Sequence, residues 1–315
     1  MYQEYAIDPT TICRSFDRFK LIWNGLGYGE GRLLSLFPGA WAKKVVSSGA
    51  YKDLPDGLRK KTIEDLLVRE TKLKRKSIAS GREYVPDLGS WLQAAEDAHA
   101  NRAFHGIVSE TNPRDQAAVT CFGDLGDNEG CCWNLPRPWQ VKRNHVEMAA
   151  AAGPLLRSSK KILMIEPYFN FGRRFTRPLR SFLAELVPYA AVVDRVEVHL
   201  KHNPERGTPE HFTEEFKQEA AEKLHFIRPR GGEALLQKLE FFIWESPDDN
   251  RMHPRYILTE VAGLGFENGL DESDDGETLT DVTLVYGQSL NTRWNEFQDA
   301  TATRQLLSKF SISEL

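Results

Sequence analysis

From residue 155 onward, short apolar runs alternate with longer segments that have the periodicity of helices. The runs Ile162-Leu-Met-Ile165 and Phe241-Phe-Ile-Trp244 are too continuous for strands with one face in solvent, so we expect a sheet that is covered on both faces. Strands that alternate with helices form layered α/β domains. The predicted fold class of this region is therefore α/β, and its central sheet is expected to contain residues 162–166, 195–200 and 239–244.

A candidate phosphate-binding motif lies in the same region, at His253-Pro-Arg255 with Glu260 five residues further on. The imidazole of His253 can attack phosphorus as a nucleophile or protonate a leaving oxygen. Side chains alternate along a strand, so Arg255 would leave the same face as His253 and point at the same phosphate. Glu260 is expected to orient the imidazole or to balance the positive charge. A His and an Arg that flank a proline are also common on an ordinary strand surface.

The motif and its surroundings resemble the phospholipase D superfamily, whose signature is His-x-Lys-x4-Asp. The closest likeness is to the phospholipase-D-like C-terminal domain of MIT-domain proteins and its bacterial relatives, in which a His-x-Arg strand runs into a glycine turn and Gly-Leu-Asp closes the hairpin. Here Gly269-Leu-Asp271 stands at that position, and residues 161–169 resemble an opening strand that ends in acid-Pro-Tyr. The resemblance covers residues 155–315 and implies a phospholipase-D-like layered domain, a mixed central sheet flanked by helices.

The resemblance implies catalytic or phosphate-binding roles for His253, Arg255 and Glu260, but the chain departs from the family pattern. Catalytic members carry Lys where Arg255 stands and Asp where Glu260 stands. Their Gly-Ser-x-Asn element is replaced by Gly265-Phe-Glu-Asn268-Gly, which leaves Asn268 as a candidate phosphate-binding residue. Arginine binds phosphate bidentately, yet its planar guanidinium does not replace an ammonium group in every role. The branch with the closest pattern includes non-catalytic proteins that bind phosphate-bearing partners.

Four further candidates follow from the positions at which the predicted strands end. In α/β domains, ligands gather outside the carboxyl ends of the strands. Glu166 and His199 stand at such ends and are candidates for the rim of the site. Arg173 and Arg174 follow the first strand and are candidate phosphate donors, although a solvated helix start would account for them equally well.

The composition is that of a soluble globular protein, with 41% hydrophobic and 27% charged residues. The net charge of −4 means that any contact with nucleic acid requires a local basic patch. There is no apolar run of transmembrane length and no signal-peptide pattern, so we expect a cytoplasmic protein. The four cysteines form no Cys-x-x-Cys pair, and we expect neither a metal site nor a cofactor.

Residues 1–80 are predicted to form a mainly helical N-terminal region that could serve as a partner-binding module. Residues 33–41 are predicted to be a buried helix. The alternate glycines of residues 25–32 favour a flexible loop over a phosphate loop, because no apolar strand precedes them and no Gly-Lys-Ser/Thr follows. Residues 81–154 are predicted to be a mixed α+β connecting region packed on the C-terminal domain.

Two functions of different classes remain open. In the first, the protein is a nuclease or another metal-independent phosphodiesterase in which His253 forms a phosphohistidine intermediate. The chain has one copy of the motif whereas this reaction uses two histidines, so a homodimer would have to supply the second. In the second, the protein is a catalytically degenerate recognition or scaffold subunit that binds nucleic acid, an anionic lipid or a partner protein. The bacterial relatives imply a component of an antiviral defence or mobile-element system, which suits either function.

Overall fold

The computed structural model describes residues 2–55, 57–85, 89–125, 133–134, 139–245, 255–298, 302 and 304–315. The chain divides into two compact units, an N-terminal unit, Tyr2–Arg137, and a C-terminal unit, Pro138–Leu315. Each unit is built around its own β-sheet.

The sheet of the N-terminal unit has five parallel strands in the order β3-β2-β1-β4-β5. The strands are β1 Gln3–Ile7, β2 Arg32–Leu36, β3 Ser77–Ala79, β4 Gly106–Ser109 and β5 Val119–Cys121. The helices are α1 Phe16–Asn24, α2 Trp41–Ser47, α3 Gly49–Lys52, α4 Gly57–Leu73 and α5 Trp91–Asn101.

Both faces of this sheet are covered, as parallel sheets require. Tyr5 and Ile7 of β1 belong to a core cluster that also contains buried residues of α1, α2 and α4. Ala6, between them in sequence, belongs to a second cluster with residues of α5. The two clusters reflect the alternation of side chains along β1.

The prediction of a mainly helical region over residues 1–80 is wrong in that β1, β2 and β3 lie within it. The predicted buried helix over residues 33–41 is instead the strand β2, a turn at the cis peptide bond between Phe37 and Pro38, and the first residue of α2. A short apolar run such as Leu33-Leu-Ser-Leu36 has no periodicity that separates a buried strand from a buried helix. The glycine-rich residues 25–32 connect α1 to β2 rather than joining two helices.

The sheet of the C-terminal unit has eight strands in the order β13-β9-β8-β7-β10-β11-β12-β6. The neighbours β7, β8 and β9 are parallel, and every other pairing is antiparallel, so the sheet is mixed. The strands are β6 Trp139–Lys142, β7 Lys161–Ile165, β8 Arg195–Lys201, β9 Leu239–Trp244, β10 Arg255–Thr259, β11 Gly263–Phe266, β12 Leu279–Val285 and β13 Leu306–Ser311.

The predicted α/β class is confirmed, because helices flank this mixed sheet and β7, β8 and β9 lie side by side in it. The helices are α6 His145–Arg157, α7 Arg173–Leu186, α8 Pro209–Ile227, α9 Glu233–Leu236 and α10 Gly287–Asn295. Side-chain caps fix where two of them begin. Asn144 Oδ1 accepts hydrogen bonds from Val146 N and Glu147 N at the start of α6, and Thr208 accepts one from His211 N ahead of α8.

A buried ion pair joins β1 to the segment after β3 in the N-terminal unit. The side chains of Glu4 and Arg82 are 2% and 5% exposed and form a salt bridge. Ser35 Oγ donates a hydrogen bond of 2.7 Å to Glu4 Oε1, and the Arg82 guanidinium lies 3.8 Å from the centre of the Phe104 ring. The pair therefore ties together groups from four segments of the unit.

We predict that Glu4→Ala destabilises the N-terminal unit by about 3–5 kcal/mol, because removing one partner leaves the Arg82 guanidinium buried without its carboxylate. Urea unfolding followed by circular dichroism measures the loss. Lys61→Ala, on an exposed turn of α4, is the control, with an expected change of less than about 0.5 kcal/mol. A loss below about 1 kcal/mol for Glu4→Ala would contradict the role assigned to this pair.

Candidate phosphate-binding site

Three parallel strands end at one edge of the C-terminal sheet, and β10 begins at the same edge. β10 runs antiparallel to β7, with Tyr256 opposite Ile165. Arg255, the residue before Tyr256, is therefore brought beside Glu166, the residue after Ile165. The carboxyl ends of parallel strands are where ligands of open α/β sheets bind, so this edge is the place to look for a site.

Two cations lie around one aromatic ring at this edge. Lys201 Nζ is 4.2 Å from the centre of the Tyr168 ring, and Arg255 Cζ is 5.4 Å from it. Tyr168 is 42% exposed, which makes the ring accessible to a ligand. Arg255 Nε is buried and has no hydrogen-bond partner among the described residues. The guanidinium is always charged, so this Nε–H can still donate a hydrogen bond to an anion.

Glu166 supplies a buried carboxyl group next to these cations. It is 3% exposed, and its carboxylate oxygens accept hydrogen bonds from Tyr168 N at 3.2 Å and Leu270 N at 2.8 Å. Burial raises the pKa of Glu166, while the two backbone N–H groups and Arg255 oppose that rise. The carboxyl group consequently holds its proton to higher pH than an exposed glutamate, which limits its competition with a ligand anion for Arg255.

The loop after β11 closes over Glu166 and requires a glycine. Gly269 has a φ of +119°, and a Cβ at that position would lie 2.4 Å from Asp271 Oδ1 and 3.4 Å from Glu166 Oε2. A larger residue would be strained in its backbone and would collide with a carboxylate. The glycine therefore permits Leu270 N to reach Glu166.

A set of ion pairs anchors this loop to two helices. Asp271 accepts hydrogen bonds from Arg143 Nη2 at 2.6 Å and from Arg174 Nε at 2.7 Å. Glu272 Oε1 lies 2.6 Å from His145 Nδ1, and its other oxygen lies 3.2 Å from Arg177 Nη1. These pairs neutralise most of the charge on this side, whereas Lys201 and Arg255 form no ion pair with a carboxylate of the described residues.

Two open recesses in the described part of the unit each contain one of these cations, and Tyr168 lines the first of them. A cavity of about 710 Å³ is lined by Tyr168, Lys201, His202 and Arg206 together with parts of α8. A shallower recess of about 420 Å³ is lined by Arg255 with residues of β11 and β12. Each recess thus receives one of the two cations, and each is also lined by two carboxylates, Glu205 and Glu219 in the first and Glu267 and Asp281 in the second.

The structure brings together only some of the residues predicted for the site. His253 lies outside the described residues and precedes Arg255, the first residue of β10, by two positions. Arg255 and Glu166 meet at the strand edge. Arg174 is committed to Asp271, whereas Arg173 is an exposed residue at the start of α7.

Glu260 is placed away from the cations. Glu260 accepts hydrogen bonds from Lys160 N at 2.8 Å and Lys161 N at 3.1 Å, at the opposite edge of the sheet. Five residues of strand separate it from Arg255, about 16 Å. The prediction that Glu260 balances the charge beside Arg255 is therefore wrong. The exposed Asn268 donates from Nδ2 to Leu279 O at 3.3 Å, a contact that fixes the turn.

His199 is not a rim residue, so the prediction is wrong there too. It is fully buried, Trp244 Nε1 donates to its Nδ1 at 3.0 Å, and its Nε2 lies 3.0 Å from Glu197 Oε2. Its ring also stacks on Phe242 at 4.8 Å between ring centres. His199 lies inside β8, which extends two residues further to Lys201.

Sequence reasoning missed Lys201 and Tyr168 as site residues. The signal that could have found them is position, since Lys201 is the last residue of β8 and Tyr168 comes three residues after the last residue of β7. Both therefore stand where side chains at the carboxyl ends of strands converge.

No model of a protein family matches the chain, and a search of the curated proteins finds no match. Among the described residues, no group of three or more His, Cys, Asp or Glu side chains is placed to hold a metal ion. None of the helices in the described part of the chain is both long and apolar enough to cross a membrane.

The raised pKa of Glu166 predicts a specific pH dependence of stability. A carboxyl group with a raised folded-state pKa contributes its full stability below its ordinary value of 4.5 and loses that contribution as pH rises through the folded pKa. We predict that Glu166→Gln removes this loss, which amounts to at most about 1.4 kcal/mol per pH unit. Urea unfolding between pH 4.5 and 8 measures the two slopes.

The control variant is Glu267→Gln, since Glu267 is an exposed carboxyl in the loop after β11. It should leave the pH slope of the unfolding free energy as in the wild type. Equal slopes for the wild type and Glu166→Gln would show that Glu166 titrates normally and would contradict the account of the buried carboxyl.

Proposed function

We propose that the C-terminal unit binds phosphodiesters of nucleic acid at the edge formed by Arg255, Lys201 and Tyr168, and that the protein is a phospholipase-D-like nuclease in which His253 is the nucleophile. The observation that carries the proposal is the Arg255 guanidinium, whose buried Nε has no partner among the described residues, beside Lys201 on the same ring. Two cations on one exposed aromatic ring suit a phosphate backbone with unstacked bases.

The proposed reaction is an in-line displacement at phosphorus in two steps. His253 attacks the phosphorus, a nitrogen–phosphorus bond forms, and the bond to the leaving oxygen breaks as that oxygen takes a proton from a second imidazole. Water then attacks the phosphohistidine, gives its proton to the second imidazole and releases His253. Arg255 holds the non-bridging oxygens through charge-assisted hydrogen bonds in both steps. The second imidazole would be His253 of another copy in a homodimer.

A recognition subunit without turnover is the second candidate, and one observation favours it. Glu260, the residue at the acidic position of the motif, is engaged by Lys160 N and Lys161 N at the far edge of the sheet, so it gives no orientation to an imidazole near Arg255. In this case, the same cations would hold nucleic acid as part of a larger assembly, with His253 serving only as a further contact.

Variants separate the two candidates. We predict that Arg255→Ala and Lys201→Ala each weaken binding of a fluorescent single-stranded oligonucleotide by about tenfold or more, because each removes a charge-assisted contact. His253→Ala should abolish cleavage in EDTA and leave binding within about threefold of the wild type. Fluorescence anisotropy and gel analysis of the cleaved strand provide the two readouts.

Lys217→Ala is the matched control, since Lys217 is a cation on α8 paired with Glu214 at 3.0 Å. A wild type that binds but cleaves nothing supports the recognition subunit, and light scattering that finds only monomers removes the two-histidine mechanism. Binding that survives both Arg255→Ala and Lys201→Ala unchanged contradicts the proposed site. Cleavage that requires a metal and ignores His253→Ala contradicts the proposed nuclease.

A further inference from the structure

A second candidate site lies in the N-terminal unit, at the carboxyl end of its central strand. In the sheet order β3-β2-β1-β4-β5, the strands β2 and β3 are added on one side of β1, and the chain then returns to add β4 and β5 on the other side of β1. Helices α1 and α5 accordingly pack on opposite faces. The strand order therefore reverses between β1 and β4, and open α/β sheets bind ligands outside the carboxyl ends of the strands at such a reversal.

An open cavity of about 740 Å³, a size typical of sites for small molecules, lies beyond the carboxyl end of β1 and is lined by residues that follow β1, by residues of and after α3, and by the start of α4. Three arginines from two segments line it, Arg14 and Arg18 after β1 and Arg59 in the first turn of α4. Its apolar wall contains Phe16 and Leu54. A cavity with arginines and an aromatic wall suits a ligand that has both an anionic group and a flat apolar part.

One carboxylate is shared between two of these arginines. Glu110, the residue after β4, lies with Oε2 at 3.3 Å from Arg14 Nε and at 2.7 Å from Arg18 Nη1. The Arg18 guanidinium also lies 4.2 Å from the centre of the Phe122 ring. Arg14 and Arg18 together carry one positive charge more than the Glu110 carboxylate, and the cavity is also lined by Arg59 and by the carboxylate of Asp53.

The helix α1 begins at the cavity wall. Ser15 is its N-cap and accepts a hydrogen bond from Arg18 N at 3.1 Å, and both Ser15 and Phe16 line the cavity. The positive end of the helix dipole adds to the field of the arginines. The loop before it contains no glycine and is held by Asp8, whose Oδ1 accepts from Thr10 N at 2.9 Å. Side chains rather than a glycine-rich backbone would therefore hold the anion.

We propose that this cavity binds a nucleoside phosphate, with the phosphate on Arg14 and Arg18 and the base against the wall that contains Phe16 and Leu54. The ligand is either a free nucleotide or the phosphorylated end of a nucleic-acid strand, since the two present the same group. The site goes beyond the function proposed for the C-terminal unit and uses none of its residues.

The test is isothermal titration of the full chain with three probes, namely ADP, a 5′-phosphorylated dT octamer and inorganic phosphate. Arg14→Gln is expected to weaken binding of the nucleotide probes about tenfold, because it removes a charged donor from the phosphate. Glu110→Gln is expected to strengthen binding about threefold or more, because it releases both arginines from their shared carboxylate. Arg69→Gln, an exposed position on α4 outside the cavity, should change nothing.

The probes separate the two sources of the ligand. The octamer is titrated into the Arg255→Ala/Lys201→Ala double variant, because the function proposed for the C-terminal unit gives single-stranded DNA a second site there. In that variant, ADP binding tighter than the octamer identifies a free nucleotide, and the reverse identifies a strand end. His253→Ala and Arg255→Ala should leave ADP binding unchanged, so a failure of the function proposed for the C-terminal unit does not affect this result. No binding of either nucleotide probe, equal binding of inorganic phosphate and ADP, or an affinity that ignores both Arg14→Gln and Glu110→Gln would overturn the proposal.

Discussion

The antiparallel pairing of β10 with β7 is the interaction on which the candidate site in the C-terminal unit depends. It places the start of β10 at the edge where β7, β8 and β9 end, so that Arg255 reaches the buried Glu166. A charged carboxylate would pair with the guanidinium and compete with a ligand anion for its donors. Burial works against that outcome because it disfavours the charged form of Glu166, while Tyr168 N and Leu270 N hold the carboxyl in place.

Ion pairs of Asp271 and Glu272 hold the loop after β11 in place beside this site. Asp271 and Glu272 engage arginines of α7 and of the segment before α6, together with His145 of α6, which anchors the loop after β11 without drawing on Arg255 or Lys201. Gly269 lets that loop close over Glu166. Lys201 and Arg255 lie around the ring of Tyr168, one in each of two recesses.

Much of the C-terminal fold could be predicted from the sequence, because β7 and β9 are continuous apolar runs that only a sheet covered on both faces accommodates. The N-terminal unit could not be predicted in the same way. Its strands have three to five residues, too few to establish a period, and the glutamate of β1 is buried only because Arg82 and Ser35 pair with it. These contacts join residues that are distant in sequence, so no local sequence pattern predicts them.

The site was predicted in part, for reasons that concern strand length and direction. Arg255 was identified through the His-x-Arg motif, and Glu166 because it follows a predicted strand. His199 was assigned to the rim although β8 continues to Lys201, so its side chain is buried against Phe242 and Trp244. Glu260 was assigned to the motif by spacing alone, whereas a five-residue strand carries it to the other edge of the sheet.

The most direct test of the central claim is the NMR signal of the Arg255 Nε–H group, assigned through the Arg255→Lys variant and followed during titration with a dinucleotide. The account predicts that this signal shifts and that its exchange with water slows at saturation, because the phosphate supplies the partner that the buried Nε lacks among the described residues. An unchanged Arg255 signal at saturation would contradict the account.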